Sequence, residues 1–267
     1  MTRTRLKTPL TYYGGKQQML KEIHPRLPQA YTTRTESCAG GLALTFSLDP
    51  VPSEIVNDLN GEVTNFWRML KSKYRALNKE IDKQLHSRGD YADALVIYHN
   101  PWLFEPVKRA AAFYILCHQG FASKIGTWGY DKKGKMPERI KRKKALFLDQ
   151  LSARLEQVTI EETRADTCMK LHDSPDTFHN FDPPYIHSDQ GHYDGYTIAD
   201  FERDLKVLSG LEGRFLMSSY WSTTLQTYLD ENGWWHVKIE KQLAASKSGR
   251  SRKVEVLTAN YLPEGER

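Results

Sequence analysis

Thr177-Phe178-His179-Asn180-Phe181-Asp182-Pro183-Pro184-Tyr185 is the stretch on which the reading of the fold turns. Residues 177–181 read as a strand, and the acidic residue and two prolines after them end it abruptly. Ligands of open α/β sheets bind beyond the carboxyl ends of strands, so Asp182 to Tyr185 stands where chemistry is expected. The same strand-then-turn pattern recurs on either side. Thr32 to Glu36 reads as a strand entering the small-residue turn Cys38-Ala39-Gly40-Gly41, followed by a short helix over Ala43 to Leu48 that Asp49-Pro50 closes. Glu54 to Asn57 reads as another strand, after which Val63, Phe66, Trp67 and Leu70 recur at helical spacing. Downstream, Gln157 to Glu161 and Arg214 to Ser218 are strands, and Phe201, Leu205 and Leu208 mark an amphipathic helix. Trp235, Val237 and Ile239 alternate and Val254 to Tyr261 returns, which predicts an antiparallel hairpin at a sheet edge. Strands alternating with helices predict an α/β fold with a doubly wound sheet.

The middle of the chain has a different character. From about residue 66 to 150 it is helical and charged, with breaks at Gly89, Pro101, Pro106 and Gly120 and an alanine-rich helix over Val107 to Cys117. Phe121 to Lys135 mixes glycines, aromatics and cations, the pattern of an exposed loop or hairpin. The expected division is a sheet domain over 1–65 and 150–267 and a helical insertion over 66–149.

Composition bounds the function classes. The 267 residues are 39% hydrophobic and 27% charged, an ordinary balance for a soluble chain. No apolar run reaches the roughly 18–20 residues of a membrane helix, and the basic start Met1-Thr2-Arg3-Thr4-Arg5 lacks the apolar stretch of a signal peptide. Three scattered cysteines give no disulfide framework, and the nine histidines show no zinc-type pairing with them, so a reducing, cytoplasmic setting and no metal are expected. The formal net charge of +5 is mild, but its cations are clustered. Lys132-Lys133-Gly134-Lys135 precedes Arg139 to Lys144, and Lys247, Arg250, Arg252 and Lys253 form a second group. Clustered cations displace counterions from a phosphate backbone; the plainer alternative is a solvated helix face.

The corner at Asp182 suits an exocyclic aromatic amine. Such an amine is a weak nucleophile because its lone pair is delocalised, and acceptors around its two hydrogens favour a pyramidal nitrogen. The Asp182 carboxylate can be one acceptor and the Pro183 carbonyl the other, since proline brings no competing N–H. Tyr185 offers an aromatic face for a base taken out of its stack. A plain Pro-Pro turn with Tyr185 in the core is the alternative. The turn at Gly40, before a helix, lets backbone approach a cofactor. Asp58, after the next strand, stands where an acid binds ribose hydroxyls, or caps a helix. Thr11-Tyr12-Tyr13-Gly14-Gly15-Lys16 puts a cation on a Gly-Gly turn that could close over a carboxylate, with spacing unlike a phosphate-binding Walker loop.

Together these segments resemble the Dam-like family of adenine-N6 DNA methyltransferases. Tyr12-Tyr13-Gly14-Gly15-Lys16 is similar to the family's aromatic-x-Gly-Gly-Lys. Glu36-Ser37-Cys38-Ala39-Gly40-Gly41 is similar to its Glu-Pro-Phe-x-Gly-Gly turn, with Ser37 and Cys38 as departures. Val56 to Asn60, Arg164-Ala165-Asp166 and Ser246 to Leu257 resemble further family segments, in the order of the alpha arrangement. The resemblance implies a Rossmann-like methyltransferase sheet with an inserted, mainly helical target-recognition domain. It implies S-adenosylmethionine as cofactor and S-adenosylhomocysteine as product, and double-stranded DNA as partner. Tyr12, Lys16, Gly40, Asp58, Asp166 and Asp182 would bind the cofactor, and Asp182, Pro183 and Tyr185 would act on the base. Tyr220 would help to hold that base or be a core aromatic. Gln119 to Gly129 departs from the Dam subgroup, so GATC is not assumed as the target. Lys124, Trp128, Tyr130, Lys132, Lys133, Arg250 and Arg252 are the candidates for DNA contact, and His187 to Tyr193 for a lid. A bacterial or phage setting, with or without a cognate restriction endonuclease, fits the resemblance. Two rival readings remain open: the same chemistry on RNA or cytosine N4, and a catalytically idle DNA-binding relic.

Overall fold

In the computed structural model, which describes residues 6–130, 132–186, 195–241 and 253–266, the stretch 177–181 is a strand buried at every position. Seven strands make the sheet: β1 (Thr33–Glu36), β2 (Ser53–Asn57), β3 (Val158–Glu161), β4 (Thr177–Phe181), β5 (Arg214–Tyr220), β6 (Trp235–Lys241) and β7 (Lys253–Ala259). Their order is β3-β2-β1-β4-β5-β7-β6. β1 pairs in parallel with β2 and β4, and β4 in parallel with β5, whereas β7 runs antiparallel to both β5 and β6. The expected α/β fold is therefore observed, including the antiparallel hairpin at the edge. The sequence order of the strands reverses between β1 and β4, the switch point at which such sheets bind ligands. Among the described residues, no helix is long and apolar enough to cross a membrane.

The chain divides into two compact units. The second unit, Lys21–Cys38, Val51–Asn57 and Thr163–Arg267, holds six of the seven strands. Its apolar core gathers Phe181, Phe201, Leu205, Phe215, Met217, Leu225 and Val256, with Trp234 packed edge-on against Phe215 at 4.9 Å. β4, paired on both sides, is buried at all five positions although only Phe178 and Phe181 of them are apolar, so its polar side chains need partners within the fold. Thr197 and Asp200 form a capping box that starts the helix Ile198–Leu208.

The first unit, Met1–Leu20, Ala39–Pro50 and Asp58–Glu162, is mainly helical. Phe66, Trp67, Tyr114 and Phe147 form its aromatic centre, and Trp67 donates its indole N–H to the Gly40 carbonyl at 3.0 Å. In this unit, part of the basic run has a structural task. Lys144 donates to the carbonyls of Asp82 and Gln84, covering the end of the helix Tyr74–Asp82, and burial lowers the pKa of its amine.

Two buried polar links tie the parallel strands together. Arg34 of β1 and Glu54 of β2 are register partners and form an ion pair, each less than 5% exposed. The Thr35 hydroxyl lies 2.9 Å from Nδ1 of His179 on β4, and His179 Nε2 lies 3.2 Å from Asp173. Asp173 also accepts the backbone N–H groups of Glu212 and Gly213, just before β5. Burial raises the Asp173 pKa, but these donors outweigh it and the carboxyl sits below its usual range.

Removing one member of a buried ion pair leaves the other charge desolvated and alone. Glu54→Ala should therefore lower the unfolding free energy by about 3–5 kcal/mol, read from chemical denaturation, and Arg34→Met with Glu54→Leu should cost less than Glu54→Ala alone. A near-neutral Glu54→Ala would show that the pair does not hold β1 to β2.

Candidate active site

β4 delivers Asp182 at the carboxyl edge of the second unit's sheet. Register fixes its neighbours: Glu36 of β1 lies opposite Asn180, and Met217 of β5 opposite Phe181. Ser37 and Asp182, which follow β1 and β4, and Ser218 to Tyr220, which end β5, therefore gather at one edge. The Asp182 carboxylate accepts at Oδ1 from the Tyr185 hydroxyl at 3.2 Å and from the Ser218 hydroxyl at 3.0 Å. Pro183 is buried and Ile186 enters the core, which anchors the corner at both ends. The Tyr185 ring meets Tyr220 nearly edge-on, with centroids 4.5 Å apart. Burial, and then the charge of Asp182, raises the Tyr185 pKa well above its ordinary value, so its hydroxyl stays a donor.

Ser218 is a site residue that reading the sequence alone did not single out. Its signal was a pair of hydroxyls, Ser218-Ser219, inside an otherwise apolar strand. Asn57 is another. Its side-chain amide donates to the carbonyls of Ser37 and Thr163 and its oxygen accepts the Thr163 N–H, which lashes the ends of β1 and β2 to the segment before Asp166. The Ser37 hydroxyl, on this edge, is buried without a hydrogen-bond partner among the described residues.

Asp166 opens the helix Ala165–Leu171 and is gripped by Arg164, whose Nε and Nη2 lie 2.9 and 3.1 Å from its two oxygens. Arg203 approaches the same carboxylate at 3.5 Å. Burial raises the Asp166 pKa, and the two guanidinium groups more than offset it. Behind them, Asp204 is 2% exposed and accepts from the Tyr196 hydroxyl at 2.8 Å. Burial pushes its pKa up to about 6, against the pull of Tyr196 and Arg203.

In the first unit, Asp58 and the glycine turn are one construction. Asp58 Oδ2 accepts the Gly40 N–H and Oδ1 the Asn60 N–H, both at 2.9 Å. Gly40 has φ +45°, a conformation that favours glycine. The cap of the helix Gly61–Ser72 is Asn60, which accepts from Glu62, so Asp58 is not used there as a helix cap. Tyr12 is buried with its ring 6.1 Å from Phe113, and Lys16 folds back to the Gly14 carbonyl at 3.0 Å.

The basic and aromatic loop of this unit is a closed hairpin. Gly120 and Trp128 form an antiparallel bridge, Phe121 donates to the Thr127 carbonyl, and Gly129 to that of Gln119. Lys124 stands 5.8 Å from the Tyr13 ring centre, and Tyr130, Lys132 and Lys133 are exposed. Trp128 is half-buried in a stack with His86 and Tyr130. Arg250 and Arg252, and the lid expected over His187 to Tyr193, lie outside the described residues.

Comparison with known proteins bears directly on these features. Residues 12–232 match the profile of the D12 class N6 adenine-specific DNA methyltransferase family. The chain is 26% identical over 268 aligned residues to the Type II methyltransferase M1.LlaDCHI of Lactococcus lactis subsp. cremoris, covering 93% of each. Among solved structures it is similar to a precorrin-8W decarboxylase from Methanobacterium thermoautotrophicum, with 9% identity, TM-score 0.40 and 96% of each chain covered. It is also similar to a precorrin-6Y C5,15-methyltransferase from Geobacter metallireducens, with 12% identity, TM-score 0.37, and 91% and 87% covered.

Asp204 gives the second unit a measurable pH signature. Its folded pKa of about 6 lies above the ordinary 3.8, so the folded chain holds the proton more tightly than the unfolded chain. Its contribution to stability is therefore greatest at low pH and declines as pH rises from about 4 through 6. Denaturation of wild type and Asp204→Asn across that window should show wild type losing ground to the variant as pH rises. A difference that is constant with pH would refute the assignment.

Proposed function

The chain belongs to the D12 class of N6 adenine-specific DNA methyltransferases, and from that premise we propose how its residues divide the work. The enzyme methylates the exocyclic N6 of adenine in DNA and depends on S-adenosylmethionine. When bound, S-adenosylmethionine supplies a sulfonium methyl group that passes to N6 in a direct displacement, leaving S-adenosylhomocysteine. The residues present suit that cofactor. Asp58, fixed against the glycine turn by the Gly40 and Asn60 amides, offers a carboxylate after a strand, where an acid binds ribose hydroxyls. Ser37 brings to the switch-point edge a buried hydroxyl that has no partner among the described residues, where a polar ligand would bind. In this proposal Tyr12, Lys16, Gly40, Asp58, Asp166 and Asp182 hold the cofactor: Lys16 serves its carboxylate, Asp58 its ribose, Asp166 its adenine and Asp182 its amine.

One observation carries the catalytic assignment. Asp182 is held at the end of β4 by two hydroxyl donors on a single oxygen, which orients its carboxylate before any substrate arrives. With the Pro183 carbonyl it accepts the two N6 hydrogens, favouring a pyramidal, nucleophilic nitrogen. Tyr185 and Tyr220, packed against each other, hold an adenine flipped from double-stranded DNA. No covalent enzyme intermediate and no metal ion are called for.

The proposal gives residues 66–149 the reading of the target, with Lys124, Trp128, Tyr130, Lys132 and Lys133 on the DNA side. Arg250 and Arg252 join them. β6 ends at Lys241 and β7 begins at Lys253, and register puts the start of β7 level with the end of β5. A Type II methyltransferase among the relatives fits a cytoplasmic, bacterial or phage enzyme with a cognate endonuclease.

Asp182→Ala should abolish methyl transfer to mixed DNA while leaving the fold intact by circular dichroism. Ser218→Ala removes a hydroxyl donor to Asp182 and should lower kcat by about ten- to a hundredfold, with KM for DNA little changed, from a hydrogen bond to a charged group of about 1.5–3 kcal/mol. Near-normal turnover by Asp182→Ala would defeat the mechanism. Cofactor binding by the wild type without methyl transfer would favour an idle DNA-binding protein instead.

A further inference from the structure

Arg88 opens the helix Arg88–His99, and Ser87 caps that helix by accepting the Asp90 N–H. An arginine is poorly placed at a helix N-terminus, where the macrodipole disfavours a cation. It is exposed, and no carboxylate pairs with it among the described residues. Its guanidinium carbon lies 4.3 Å from the centre of the Trp128 ring. The same indole stacks at 13° on His86, with centroids 5.0 Å apart, and at 21° on Tyr130 at 5.8 Å. His86 Nε2 also lies 3.1 Å from the Gly129 carbonyl. The indole N–H of Trp128 is buried without a partner among the described residues, and ring stacking holds the indole in place.

This stack rests on a stiff base. A Cβ on Gly120 would lie 2.3 Å from the Lys124 carbonyl oxygen and 2.7 Å from that of Leu116, so the hairpin tolerates no side chain there. Ala122 and Ser123 are both left-handed, at φ +52° and +62°. Non-glycine residues hold such conformations only where the surroundings impose them, and such strain gathers at functional sites. Phe121 and Tyr130, on the same hairpin as Trp128, are 65% and 67% exposed.

We propose that Arg88, steadied on Trp128, reads a guanine edge in the methylation target, and that Trp128 is the platform rather than the contact. The inference rests on residues 66–149 being the target-reading region. Stacking fixes the plane of a guanidinium before DNA arrives and leaves its N–H fork directed outward, which reduces the entropy lost on binding. A fixed fork matches the two acceptors O6 and N7 that guanine presents in the major groove, and no other base offers that pair. A phosphate also accepts such a fork, but a phosphate contact weakens every duplex alike, whereas a guanine contact is lost at one base pair. The target sequence should therefore contain a guanine that Arg88 specifies.

The experiment sequences methylated adenines in DNA treated with wild type, Arg88→Lys and Arg88→Ala. It then measures kcat/KM on duplexes changed one base at a time, and on one with 7-deazaguanine at each target guanine. For wild type, one guanine should cost about tenfold or more when replaced, and its 7-deaza form should also be penalised. Both variants should lose that preference at that position alone, with their other base preferences intact. Arg88→Lys keeps the charge and the fold, so its result stands if Arg88→Ala folds poorly. An unchanged target in Arg88→Lys would overturn the proposal, as would an equal loss on every duplex with a shallower salt dependence. A wild type that methylates no adenine would instead overturn the reading of the enzyme on which the proposal rests.

Discussion

The parallel ladder between β1 and β4 is the constraint on which the catalytic edge depends. Glu36 sits opposite Asn180, so the chain leaves both strands at the same height and on the same side. A slip of one residue would turn every side chain of β4 to the other face and carry Asp182 away from Ser218. Buried polar groups oppose that slip. Arg34 must meet Glu54, and Thr35 must meet His179, because each would otherwise be desolvated without a partner. Groups that contribute modestly to net stability thus have a large effect on specificity of register.

Carboxylates do most of the arranging near the proposed chemistry, each held differently. Asp182 accepts two neutral hydroxyls, those of Tyr185 and Ser218, on one oxygen, which orients the carboxylate. Asp166 is held by arginine forks, which keep it ionised. Asp58 is spent partly on backbone amides, which fix the left-handed turn at Gly40. Asp204, behind Asp166, is the one of these that burial brings to a pKa near 6. The same side-chain chemistry serves orientation, charge and turn geometry according to its donors.

The basic character of the chain also divides by task. Lys144 covers carbonyls at a helix end and Lys143 is half-buried, whereas Lys132 and Lys133 stand in solvent. A run of cations in a sequence does not distinguish these cases, because the distinction depends on which carbonyls lie within reach after folding. Arg88 was passed over for the same reason. As a lone arginine before a helix it carries no pattern, and it gains meaning only beside Trp128, forty positions further along the chain.

Much of the fold was legible because burial leaves a local imprint. The helix over Phe201, Leu205 and Leu208 repeats at the helical period since one of its faces is covered, whereas β4, with only Phe178 and Phe181 apolar, is marked by the corner that ends it. The abrupt Asp182-Pro183-Pro184-Tyr185 corner was visible for a covalent reason: proline removes N–H groups and ends a ladder wherever it stands. The segments that identify the family, from Tyr12 to Asp182, were likewise written in order along the chain. Tertiary structure alone decided which donor meets which carboxylate. Ser218 reaches Asp182 because β5 lies beside β4, Asn60 rather than Asp58 caps its helix, and Asn57 joins Ser37 to Thr163. Those choices depend on distances of a few ångströms between segments far apart in sequence, and periodicity and composition, being local averages, carry no record of them.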